Sequence, residues 1–329
     1  MEVRRLFWNG ALFAMPLFAW VLIVVLVDPF DYFDISHIIP EPVKVANAAS
    51  LNEMMFNMLK EVHQPAENLI IGDSRVGNFS LSQIKDITGL DYQRLSSNAL
   101  KLNEAIDLFW FANHRKRVAR VVFGINFNQY NDYAFADRAH SVEAVIHNPL
   151  LYLFDRSVAQ ASYYVVKAAL TGHRAFSSVP PMSREEFWNY IVTVRAREHY
   201  ERYRHPDNVY KRMREMVAFA KQQGTEVTFV IVPHHADFQQ RLVDFGLVAE
   251  AARFKRDLSN LGVRVVDYDY PNEITSDRAN FTDPLHCNDA IANVIVHEVF
   301  GRHLVLGKLC ASSTARLPST PQTTATPVH

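Results

Sequence analysis

Cysteine is almost missing from this chain: 329 residues contain only Cys287 and Cys310. That count excludes a disulfide-built scaffold and a thiolate zinc cluster, and it leaves open whether the two pair. An excess of either charge is also missing. Lys and Arg number 34 against 35 Asp and Glu, a formal net charge of -1, so nothing in the balance favours nucleic acid or another polyanion as partner. No internal repeat is present. What remains is a chain with 49% hydrophobic and 21% charged residues, long enough for one large domain or two ordinary ones around a sizeable core.

Charge is absent locally as well. Leu6 to Val27 holds no charged residue, and Val21 to Val27 is purely apolar. A run of this length suits one transmembrane helix. Arg4 and Arg5 precede it and Asp28, Asp31 and Asp34 follow it, so the positive-inside rule puts residues 1–28 down as cytoplasmic N-terminus and anchor in the inner membrane, with the rest on the periplasmic side. A cleaved signal peptide and a buried N-terminal helix are the rival readings. No small-x-small cleavage site follows the run before Asp28-Pro-Phe. Residues 29–65 read as a juxtamembrane connector with a short helix around Leu51–Leu59.

From about residue 66 to 305, apolar runs alternate with amphipathic stretches. Candidate strands are Asn68–Gly72, Tyr92–Leu95, Arg120–Gly124, Glu226–Val232 and Val263–Tyr268. Most are Val- and Ile-rich, as in a parallel sheet covered on both faces. Helical spacing falls at Leu81–Thr88, Leu102–Ala112, Val209–Gln223, Gln239–Asn260 and Asp289–Phe300. This alternation predicts an α/β fold, a flavodoxin-like three-layer sandwich with a mostly parallel sheet. The stretch 127–205 departs from it and reads as a helical insertion bordering the sheet edge. Residues 306–329, rich in Ser, Thr and Pro beyond Ala311, are expected to be disordered.

Ligands bind such sheets beyond the carboxyl ends of the strands. Ser74 ends the first strand segment, Asn68-Leu-Ile-Ile-Gly-Asp-Ser74. Asp283-Pro-Leu-His286 supplies a carboxylate and an imidazole three residues apart. Alone, each has a plain structural role: Ser74 as a helix cap, Asp283 as the N-cap of the final helix, His286 as a loop residue. Together they have the composition of a nucleophile, base and orienting acid. Asn126 follows the third strand, and His234 with His235 the fourth, on the same edge. Asn128, Asn131 and Asp132 are further candidates to line the cleft, and Trp188 and Tyr190 either stack on sugars or pack in the core.

Gly72-Asp-Ser74 with Phe79 following, and Asp283-x-x-His286, resemble the first and last blocks of the SGNH, or GDSL-like, hydrolases across residues 66–305. The resemblance implies Ser74 as nucleophile, with Asp283 and His286 completing the catalytic set and no cofactor. It implies Asn126, in Gly124-Ile-Asn126, as an oxyanion donor beside the Ser74 N–H. The second block is represented only by Ser96-Ser97-Asn98-Ala99, without its expected glycine, so Ser97 or Asn98 stands in as the other donor. With an anchor, the chain is similar to membrane-tethered proteins of polysaccharide O-acylation, such as alginate O-acetylation proteins and the D-alanylation protein of teichoic acids. That implies a cell-envelope polysaccharide or glycan as substrate, contacted by His234, His235 and Asn128, and a multi-span membrane O-acyltransferase as partner. Two other readings stay open: a non-catalytic accessory protein that binds a polymer or such a complex, and a metal-dependent hydrolase using His234, His235 and His286.

Overall fold

The computed structural model describes residues 2–173 and 182–310, without the side chains of residues 2–8 and 11. Of residues 306–329, expected to be disordered, 306–310 are instead part of the fold, where Lys308 and Leu309 pair with the edge of the sheet; residues 311–329 lie outside the described residues.

Six strands form the main sheet: β1 Asn68–Gly72, β2 Gln93–Ser96, β3 Arg120–Ile125, β4 Glu226–Ile231, β5 Arg264–Asp267 and β8 Lys308–Leu309. Their order is β2-β1-β3-β4-β5-β8, with the first five parallel and β8 antiparallel at the edge. The five parallel strands follow the flavodoxin-like order, in which the chain reverses direction between β1 and β3 and leaves a crevice there.

Side-chain alternation along each strand builds the layers. Leu69, Ile71, Val121, Phe123, Phe229 and Ile231 pack on one face with Ile106, Phe109, Met213 and Phe254. Ile70, Val122, Val230 and Val266 pack on the other with Ile84, Ile291 and Ile295. Helices Leu102–Arg115, Asp207–Gln222 and Val248–Ser259 therefore cover the first face, and Leu81–Thr88 and Asp289–Gly301 the second. The expected single helix Gln239–Asn260 is two, Ala236–Asp244 and Val248–Ser259, broken where Gly246 takes φ +70. Between β3 and β4 come helices Arg138–His147, Pro149–Phe154, Arg156–Thr171, Arg184–Tyr190 and Ala196–Tyr200.

The transmembrane anchor expected over Leu6–Val27 is not found: among the described residues no helix is long and apolar enough to cross a membrane. A helix does run from Glu2 to Val27. Its C-terminal end is docked on the protein rather than free, with Val24 and Val27 buried and Trp20 Nε1 donating to the Leu153 carbonyl at 2.8 Å. Asp28 then accepts the N–H groups of Tyr32, Phe33 and Asp34, closing the turn that follows.

Helix Glu53–His63 carries a buried carboxylate, Glu61, which accepts from Ala66 N at 3.1 Å and Gln93 Nε2 at 2.5 Å. Burial pushes its pKa up from 4.5 to about 7, against the lowering effect of the Ala66 amide. The folded state thus holds this proton more tightly than the unfolded chain, so stability falls as pH rises from 4.5 to about 7. Glu61→Gln removes that loss, and the Gln93 amide can turn to accept from it. The variant is expected to be more stable than the parent at pH 8, by about 1–3 kcal/mol at roughly 1.4 kcal/mol per pKa unit, and no more stable at pH 4. Denaturant titration at the two pH values checks this.

Candidate active site

The Ser74 turn is built on two glycines. Gly72 of β1 lies opposite Gly124 of β3. A Cβ on Gly124 would meet Val76 Cγ1 at 2.1 Å, and one on Gly72 would meet it at 2.9 Å. Without side chains there, Val76 lies flat on the sheet, fully buried. That burial contributes about 1.5–3 kcal/mol and folds residues Ser74–Val76 into a 3-10 turn. Ser74 is left at the crevice between β1 and β3.

Its partners come from a separate small hairpin, β6 Phe281–Asp283 and β7 His286–Cys287. Ser74 Oγ lies 2.8 Å from His286 Nε2. His286 Nδ1 lies 2.8 and 3.0 Å from the two Asp283 oxygens. With the proton on Nδ1 toward the carboxylate, Nε2 is free to accept the Ser74 hydroxyl proton, as a general base does. Asp283 does not cap the final helix. Asn288 does so, its side chain accepting from Ile291 N at 3.0 Å, because Pro284 turns the hairpin instead of starting the helix.

Four residues expected to face the cleft are turned away from it. Asn126 has no exposed surface; its Nδ2 donates to the Val232 carbonyl at 2.6 Å, and its Oδ1 has no partner among the described residues. It braces β3 against β4, at a cost of about 1–3 kcal/mol for the unpaired oxygen. Asn128 is buried and accepts from Arg75 Nη1 at 3.0 Å. His234 is buried between Arg75 Nη1 at 2.7 Å and Asp269 Oδ2 at 2.8 Å. His235 caps helix Ala236–Asp244, accepting from Asp237 N, with its ring edge-on to Trp188. Asn131 holds the carbonyls of His199 and Arg202, Asp132 pairs with Arg204, and Trp188 is buried, donating to Asp237. Among the described residues no group of three or more His, Cys, Asp or Glu is placed to hold a metal ion.

The residue organising this region is Arg75, which the sequence did not single out. It is buried and grips Asp73 through Nε at 2.9 Å and Nη2 at 2.6 Å while also reaching Asn128 and His234. Burial alone raises the Asp73 pKa, but the Arg75 charge and hydrogen bonds outweigh it and hold the carboxyl below its usual range. Asp269 is likewise held low: burial raises it, and His234 and Lys255 more than reverse that. The ends of β1, β3 and β4 are thus tied behind Ser74 by charged groups that all have partners.

The loop after β2 holds a second surprise. Ser97 is buried and donates its N–H to the Gly72 carbonyl at 3.3 Å, while Asn98 and Ala99 are exposed. Ala99 takes φ +52, the left-handed region that suits glycine. The loop thus contains a left-handed backbone position although it has no glycine. Among the described residues, neither the Ser74 N–H nor the Ala99 N–H has a hydrogen-bond partner. A cavity of about 410 Å³ opens beside Ser97 and Asn98, lined also by Glu53, Met55, Arg138 and Val142.

No family model matches this chain, and no curated protein matches it. Solved structures of similar shape include a Bacteroides fragilis protein assigned as an acylhydrolase, at TM-score 0.41 and 10% identity, covering 78% of this chain and 97% of its own. A GDSL-like lipase of Bacteroides thetaiotaomicron gives TM-score 0.37 and 10% identity, covering 76% and 100%. A Desulfitobacterium hafniense protein assigned to the G-D-S-L lipolytic family gives 0.34 and 10%, covering 73% and 100%. At these scores the likenesses carry no weight in assigning what the chain does.

Proposed function

We propose that this chain is a serine-dependent acyl-transfer enzyme of SGNH, GDSL-like type, acting on esters of a cell-envelope or exported polysaccharide. The observation that carries the reading is the hydrogen-bonded line from Ser74 Oγ through His286 to Asp283. Ser74 Oγ attacks the ester carbonyl as His286 Nε2 takes its proton. The tetrahedral oxyanion is met by the N–H groups of Ser74 and Ala99. The C–O bond to the leaving alcohol then breaks, and His286 returns the proton to that oxygen. Water or a sugar hydroxyl, deprotonated by the same His286, then attacks the acyl carbon, the bond to Ser74 Oγ breaks, and His286 returns the proton to that oxygen. The acceptor decides between esterase and transferase. Mass spectrometry of the full chain after rapid quenching with an activated acetyl ester tests the reading; an acetyl group on any residue other than Ser74 overturns it.

A second reading has its own support. Asn126 is committed to Val232 and supplies no oxyanion donor in this geometry, as suits a non-catalytic polymer-binding protein or a partner of a multi-span acyltransferase. Unchanged cellular function on loss of Ser74 would favour it.

The site of action we propose is the outer face of the cytoplasmic membrane. The outward apolar side chains of the N-terminal helix support a membrane surface as the place of action, with Phe13 90% and Phe18 72% exposed. Full-length chain is expected in the membrane fraction after high-salt washing; full release by salt would count against it.

A further inference from the structure

The two loops that would supply oxyanion donors, after β1 and β2, leave the sheet from different strands and are flanked by the loop after β3, so something must hold them in register. One side chain touches all three. Gln129, buried, accepts from Asn126 N through Oε1 at 2.9 Å. Its Nε2 donates to the Leu100 carbonyl at 2.8 Å and to Asp73 Oδ2 at 3.2 Å. The loop after β3 is thereby fixed to the loop after β2 and to the residue preceding Ser74, and both amide hydrogens are used.

A second group works on the same loop from the opposite side. Arg138 donates to the carbonyls of Asn98 at 3.0 Å and Ala99 at 3.3 Å. Its own guanidinium is anchored on Glu104 through Nε at 2.9 Å and Nη2 at 2.6 Å. In a trans peptide the N–H points opposite to the C=O. Holding the Asn98 carbonyl toward Arg138 therefore aims the Ala99 N–H away from it, and holding the Ala99 carbonyl aims the Leu100 N–H the same way, where it meets the Ser97 carbonyl at 3.1 Å.

We propose that Gln129 and Arg138 are positioning residues that preset the Ala99 N–H as an oxyanion donor. This rests on the acyl-transfer reading above. Neither side chain touches the reacting atoms; Arg138 fixes the peptide plane that carries the Ala99 N–H, and Gln129 ties the Leu100 carbonyl of the same loop to Asp73 and the loop after β3. An oxyanion contact exists only in the transition state, so its misplacement lowers kcat and leaves KM in place.

The test compares full-length Gln129→Met and Arg138→Met with the parent and with Ser74→Ala, on a small acetyl ester at a temperature where circular dichroism shows each variant folded. Removing one oxyanion donor outright costs about 10²–10³ in kcat, so kcat is expected to fall about 10- to 100-fold in each, with KM within about twofold. Gln129→Glu retains the acceptor toward Asn126 N but donates to Leu100 only when protonated. Its kcat relative to the parent is therefore expected to rise as pH falls, which a purely structural brace would not produce. Unchanged kcat in both methionine variants, or a loss carried wholly by KM, overturns the positioning role while leaving the Ser74 reading intact. Full turnover in Ser74→Ala overturns the reading itself.

Discussion

Ser74→Ala is expected to lower esterase turnover by about 10⁴-fold or more, and His286→Ala to lower it as far. Members of a nucleophile–base–acid set act as one unit, so the double variant is expected to be no worse than either single one. The reason lies in the geometry: among the described residues the hydroxyl has one acceptor for its proton, at 2.8 Å, and that acceptor has one useful orientation. Asp283→Asn tests the last link. An amide that donates to Nδ1 favours the opposite tautomer, with the proton on Nε2 facing Ser74, and in a well-studied triad that exchange costs about 10⁴ in kcat. Both Asp283 oxygens sit within 3.0 Å of Nδ1, so a comparable loss is expected here. Steady-state rates on an acetyl ester, with folding verified, decide it. Independent, additive losses from Ser74 and His286 would show that they do not work together.

The largest effect on stability is expected from Arg75→Met. Arg75 is the only ion-pair partner that Asp73 has among the described residues, and Asp73 is buried. Removing one side of a buried pair leaves an uncompensated charge, with a typical cost of about 3–5 kcal/mol. Here Asn128 and His234 also lose a donor, which places the expectation at the upper end. Asp73→Asn combined with Arg75→Met removes both charges and is expected to recover a substantial part of the loss. Denaturant midpoints for the two variants check this; a single-variant loss below about 1 kcal/mol, the size of an exposed pair, would show that the cluster is wetter than its packing implies.

The strands were legible because parallel strands covered on both faces must be apolar on both. Asn68–Gly72 and Arg120–Ile125 show that pattern directly. The hairpin β6–β7 was not legible, since two- and three-residue strands have no periodicity and Pro284 suits a helix start equally well. The site was half legible. Position after a strand end places His234, Asn126 and Asn128 at the same sheet edge as Ser74, but which way a side chain turns there depends on what is buried behind it. Arg75 settles that for two of the three, and nothing in the local sequence marks an arginine as buried. Gln129 escaped for the same reason, and Ala99 because alanine is seldom found at positive φ.

Asp283 and His286 share one four-residue stretch of hairpin, so they reach Ser74 as a single preassembled part. Carboxylate and imidazole have nothing to find in each other during folding; on the acyl-transfer reading, only the approach of that part to the Ser74 hydroxyl remains to be set. A slip in seating it would switch the site off rather than dim it. A population of molecules carrying such a slip would then show full-rate turnover from the seated fraction and silence from the rest, and titrating the reactive serines would count the two.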